Sequence, residues 1–163
     1  MSGCVRPAIE RGSSEDAVDN GAVNYRRAAV AALVATLVYY MIGFFTEGWL
    51  FRGDFAPYSA VYRSSDTVMR YMPLGMVFSF IGVFVVAIIY ARLCSGRNGV
   101  LEGTRLGLLI GVFVACVFVG TNYVILNIGS KLALKQGLGT FVQWTVVALV
   151  IGLIYRPLSA AAK

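Results

Sequence analysis

The stretch Gly103-Thr-Arg-Leu-Gly-Leu-Leu-Ile-Gly-Val-Phe-Val-Ala115 sets glycine at 103, 107 and 111 and alanine at 115, with Arg105 near its start. A glycine costs a water-soluble helix about 1 kcal/mol against alanine, so three in one register argue against a soluble helix. In lipid the argument reverses. Hydrocarbon tails are as apolar as leucine, so helices there associate through close van der Waals contact, and small residues at every fourth position let two backbones approach. The surrounding sequence decides which solvent applies.

It decides for lipid. Four runs free of formal charge, Ala28 to Thr46, Tyr71 to Ala91, Leu106 to Ser130 and Gln136 to Tyr155, fill more than half of the 163 residues. Each matches the roughly 20 apolar residues that cross a 30 Å hydrocarbon layer at 1.5 Å rise. Charged residues make up 13% of the chain, against about 25% in soluble domains, and the mean hydropathy is +0.75. The expected fold is an all-α membrane protein, a four-transmembrane-helix bundle built from two helical hairpins. Its spans are expected at about 28–47, 71–93, 104–128 and 134–155, with a mobile polar tail over 1–27 and a short tail over 157–163. The first run starts too late for a secretory signal, and no small-residue cleavage site follows it.

The net charge of +6 does not point to nucleic acid, because the bases sit at helix ends and in loops. Nine of them (Arg6, Arg11, Arg26, Arg27, Arg92, Arg97, Arg105, Arg156 and Lys163) fall on the side of the termini, and Arg52, Arg63, Arg70, Lys131 and Lys135 fall on the other. The positive-inside rule then predicts cytoplasmic termini in a cell membrane, here a bacterial inner membrane. The chain has no histidine, and Cys4, Cys94 and Cys116 form no C-x-x-C pair. His-ligated haem, most zinc sites and vicinal disulfide chemistry therefore lack their ligands, and no metal or cofactor is expected.

Local signals refine the layout. Pro73 suits the first turn of span two, after a short interfacial stretch opening at Ser65 and Asp66. The turn SGRNG at 95–99 predicts a tight antiparallel hairpin of spans two and three. Gly129 reads as a C-terminal cap and Ser130 as the N-cap of span four. Span two ends IIYARL and span four LIYRPL, an echo that fits the habit of placing Tyr and Arg at the inner interface; a two-fold relation between hairpins is the alternative.

Two constellations stand out. Gly103, Gly107, Gly111 and Ala115 make a packing groove on span three. Gly75, Ser79 and Gly82 on span two, and Thr145, Ala148 and Gly152 on span four, offer partners; a hinge or ligand groove is the alternative. The second is a polar layer. Tyr39, Tyr40, Ser79, Thr121, Asn122 and Gln143, with Trp144, each lie seven or eight residues from the side opposite the termini, about 10–12 Å deep. Interhelical hydrogen bonds explain such a layer. The alternative is a pocket for a small ligand, a lipid head group or a quinone, with Asn122 and Gln143 orienting the ligand and Tyr40 and Trp144 as walls.

Glu47, near the end of span one, reads as a rim carboxylate paired with Arg52, with proton coupling as the alternative. No nucleophile stands with a base and no nucleotide motif appears, so catalysis is not the expected class. Phe44, Phe45, Trp49, Phe51, Tyr58, Tyr62 and Tyr71 form an interfacial belt or, alternatively, a docking surface for a partner.

The run YMPLG from Tyr71, the IYAR ending of span two, the GTRLG opening of span three and the closing LIYRP resemble a pattern in small uncharacterised four-helix bacterial integral membrane proteins. That resemblance implies a four-span bundle and carries no activity. The expected function is that of a non-enzymatic accessory or assembly subunit, a homo-oligomer or a member of a larger membrane complex. The alternative is a small oligomeric carrier or ligand-binding membrane protein that uses the polar layer.

Overall fold

The computed structural model describes residues 23–93 and 98–155. Four helices in it are long and apolar enough to cross a membrane: Tyr25–Leu50, Ser65–Leu93, Gly99–Ile125 and Ser130–Ile154. With no strand among the described residues, the protein is an all-α multi-pass membrane protein. The tails at 1–22 and 156–163 and the turn residues 94–97 lie outside the described residues. Below, the tail side is the one bearing the termini, and the far side is the opposite one.

Span one comprises α1 (Tyr25–Gly43), continued as a wider π-type helix over Phe44–Leu50. The Asn24 side chain accepts the Arg27 backbone N–H at 3.0 Å, the usual N-cap arrangement. Helix therefore starts three residues before the uncharged run, and Arg26 and Arg27 ride in its first turn. A short turn of helix, α2 (Arg52–Phe55), opens the far-side loop. Span two is α3 (Ser65–Leu93). It absorbs the expected interfacial stretch into one continuous helix, so Pro73 lies inside it and not in its first turn. A proline there removes one hydrogen bond and crowds the carbonyl four residues earlier. That carbonyl belongs to Met69, which is 67% exposed near the far-side end.

Span three is α4 (Gly99–Val114), a π-type stretch Ala115–Gly120, and α5 (Thr121–Ile125). Asn98 caps its start, accepting the Leu101 N–H at 3.2 Å. Span four is α6 (Ser130–Ile154). The junction departs from expectation. Helix stops at Ile125, with Leu126 already extended (φ −96°, ψ 141°). Gly129 is itself extended (φ −71°, ψ 150°) and flanks the start of α6 without a side-chain cap, and Ser130 is the first helical residue.

The helices pack in the order α3, α1, α6, α4. The most extensive contact by far is α4 on α6; α1 touches α3 and α6 about equally, and α3 meets α6 only lightly. Two hairpins thus form, spans one and two and spans three and four, joined through α1 and α6. The expected hairpin of spans two and three is not formed. The short turn connects them, but α4 directs its glycines to α6, and α3 and α4 barely touch.

The core explains why α1 is central. Ala28, Ala31, Ala32 and Ala35 are fully buried and pack with Val83, Val86, Ala87 and Tyr90 of α3 and with Val147, Ile151 and Tyr155 on the α6 side. Alanines at i, i+3, i+4 and i+7 occupy one helical face and let two helices approach it closely. The tyrosines of the IYAR and IYRP echo are packed inside the bundle. Tyr90 and Tyr155 are 1% and 4% exposed, and their rings meet edge to face at 6.1 Å.

The far-side loop folds back over the start of span four. Lys135 Nζ pairs with Asp54 at 2.5 Å, Tyr58 Oη accepts the Gly129 N–H at 3.0 Å, and Gln136 donates to Tyr62 Oη at 3.4 Å. The expected belt divides accordingly. Tyr58 and Tyr62 turn toward α6, while Phe44, Phe45 and Trp49 stay 77%, 55% and 68% exposed. A Tyr58→Phe substitution leaves the Gly129 N–H without its acceptor, a loss of about 1 kcal/mol. Hydrogen exchange in micelles should show the Gly129 amide exchanging about fivefold faster, with amides in the middle of α6 unchanged.

Candidate functional site

The glycines of span three meet α6 at close quarters. Gly103, Gly107 and Gly111 are buried. A Cβ added at Gly103 would lie 2.7 Å from the Ala148 carbonyl, at Gly107 2.7 Å from that of Thr145, and at Gly111 2.8 Å from that of Phe141. Each step of four residues along α4 therefore meets about one turn of the antiparallel α6. Gly99 and Gly152 extend the same contact at the tail side, each facing the other's backbone. The groove ends before Ala115, which begins the π-type stretch and is only half-buried. The wider turn passes the next contact to Val119, 7% exposed and beside Gly137.

On span two the small residues behave differently. Gly75 sits under Tyr40, where a Cβ would lie 3.6 Å from the tyrosine hydroxyl, whereas a Cβ at Gly82 would meet nothing within 4 Å. Gly82 is thus not at a close helix contact within the chain.

The fold splits the polar layer. Tyr40 Oη and Ser79 Oγ are hydrogen-bonded at 3.1 Å. Gln143, 7% exposed, donates from Nε2 to the Tyr39 carbonyl at 2.7 Å, and the bare backbone of Gly43 leaves room for that amide. The Trp144 and Tyr39 rings meet edge to face at 5.7 Å, and Tyr39 and Tyr40 do so at 5.5 Å. Spans one, two and four are therefore cross-linked at one level.

Asn122 and Thr121 stand apart from this cluster. Gln143 is 13 residues from the start of α6 and Ser79 is 14 from the start of α3, about 20 Å along each helix. Asn122 is three residues from the end of α5, about 5 Å, on a span that packs on α6 and not on α1. Its side chain makes no hydrogen bond among the described residues.

Glu47 is exposed on the π-type stretch, within electrostatic range of Tyr39. It makes no ion pair with Arg52; the helix is interrupted between them at Phe51 (φ −103°, ψ 4°). Among the described residues the ion pair at this rim is Asp54 with Lys135.

Sequence reasoning missed two features. The alanine face of α1 was readable in AAVAALVA, where the small residues recur at helical spacing. The loop contacts to Gly129, Lys135 and Gln136 left no local signal, since each joins residues more than 70 positions apart.

Chemically, these groups tie helices together. Tyr40, Ser79 and Gln143 spend hydrogen bonds on each other or on backbone, and Thr36, Thr46 and Thr145 bond back to carbonyls of their own helices. Gln143→Leu should cost the bundle about 1 kcal/mol, within the range for interhelical bonds in lipid, and Asn122→Leu should stay within about 0.3 kcal/mol. Unfolding titrations in micelles followed by tryptophan fluorescence test both. Equal losses at the two positions would contradict the division described above. No protein-family model, curated protein or solved structure matches the chain.

Proposed function

We propose that the chain is a non-enzymatic membrane subunit that packs against a second copy or a larger membrane complex, with both termini in the cytoplasm. The observation that carries this reading is the open edge of the bundle. A closed four-helix bundle would pair spans two and three; here each of them keeps a long apolar face uncovered. Span three is the barest, with 11% of its apolar window buried against 28% for spans one and four. Gly82 on span two and Asn122 on span three are half-buried on these spans. A bare small residue and an unbonded amide both suit a further helix.

The carrier alternative draws less support, because Tyr40 and Ser79 are bonded to each other and Gln143 to the Tyr39 carbonyl, while Asn122 stands apart from them.

Gentle extraction followed by native mass spectrometry tests the proposal. A subunit emerges as a defined homo-oligomer or in fixed stoichiometry with other chains. A monomer in every mild detergent and in lipid nanodiscs would overturn it, and solute uptake by liposomes containing the pure protein would favour the carrier.

A further inference from the structure

At the tail-side end, spans one and four border an open groove of about 380 Å³ lined by Asn24, Arg26, Arg27, Val30 and Ile154. Its back is fixed. The Asn24 N–H donates to Tyr155 Oη at 3.2 Å, and the Asn24 side chain holds the Arg27 backbone N–H. The lining changes character along the membrane normal. Arg26 stands exposed in the first turn of α1, which contains no acid. One turn along α1 from Arg26 is Val30, 51% exposed, and Ile154 at the end of α6 completes the apolar part of the lining. The whole tail side is basic in sequence, with nine bases against the five acids Glu10, Glu15, Asp16, Asp19 and Glu102.

A ligand that matches this gradient has an anionic head and an apolar tail. Guanidinium pairs with phosphate through two parallel hydrogen bonds, and basic recesses between membrane helices suit anionic lipid heads. A choline head would bring its own cation against Arg26. We propose that this groove seats the phosphodiester of an anionic phospholipid, with Arg26 on the phosphate and Val30 and Ile154 along the first acyl carbons. The same phosphate chemistry belongs to free phosphate, which lacks the tail; the apolar half of the groove assigns the lipid.

Native mass spectrometry of the full chain, titrated in micelles with phosphatidylglycerol, phosphatidylcholine or inorganic phosphate, tests this. Phosphatidylglycerol is expected to be retained in preference to phosphatidylcholine. At about 1 kcal/mol per basic residue, the Arg26→Gln variant should bind it about fivefold more weakly. Val30→Trp, which fills the groove and keeps the guanidinium of Arg26, should lose it as well, and it serves as the test if the Arg26 variant does not fold. Arg105→Gln, an exposed base on the same side, should leave retention unchanged. Equal retention of the two lipids, or unchanged phosphatidylglycerol binding in Val30→Trp, would overturn the site. Inorganic phosphate bound as tightly as phosphatidylglycerol would overturn the lipid assignment.

Discussion

Replacing Gly107 with leucine should part α4 from α6 and cost the folded bundle about 3 kcal/mol, the upper range for forcing atoms into a filled contact. The obstacle is backbone. A Cβ at Gly107 would lie 2.7 Å from the Thr145 carbonyl oxygen and 2.8 Å from the Thr145 Cα, so no rotamer change on α6 can relieve it. The helices must separate, and separation forfeits the close contact that holds them, because lipid supplies no hydrophobic force to press them together. Span three has no second partner to retain it, since its contacts are almost wholly with α6. Spin labels on the two helices should report a longer distance, and denaturant titration in micelles should report the lost stability. Gly82→Leu supplies the contrast. A Cβ there meets nothing within 4 Å, so its effect on the monomer should stay within about 0.5 kcal/mol. Loss of oligomer without loss of monomer stability in Gly82→Leu would add support to the proposed packing at the open edge.

What the sequence yielded, and what it withheld, follows from where each property resides. Hydropathy is local and additive, so the four spans were readable residue by residue. The glycine register lies within one helix and was equally readable. Its partner was not, because Gly75, Ser79 and Gly82 on span two and Thr145, Ala148 and Gly152 on span four present equivalent spacings; only the packed backbones choose between them. Depth failed for a different reason. The uncharged run was used as a ruler for the membrane, yet α6 begins at Ser130 and carries Lys131 and Lys135 within the helix, while span three stops at Ile125. A shift of a few residues in opposite directions placed Asn122 and Gln143 at one level on paper and about 15 Å apart along their helices. Tyr90 and Tyr155 show the same limit: aromatics near a span end suit either an interface or a core, and composition does not distinguish them.

Leucine at both Ala31 and Ala35 should unfasten the two hairpins from each other while leaving α4 on α6. Both alanines are 0% exposed in a core built mainly from α1, α3 and α6, so each added isopropyl group has to displace a neighbour, at about 1–3 kcal/mol per site. The expected total is about 4 kcal/mol, discounted because two sites one turn apart share neighbours and do not add fully. The residues of the glycine contact, Gly103, Gly107, Gly111, Thr145 and Ala148, are not members of this core cluster, on whose edge Leu106 and Ile110 of α4 pack, and α1 is the principal bridge between the hairpins. Cysteines placed across α4 and α6 should therefore still crosslink in the double variant, while a pair across α1 and α6 should not. The Gln143 bond to the Tyr39 carbonyl and the Tyr155 bond to the Asn24 N–H both span the same α1–α6 boundary. Together they are worth about 1–2 kcal/mol, too little to hold against the overpacked core. Loss of both crosslinks at once would mean that the bundle unfolds as one unit and that the hairpins are not separate modules.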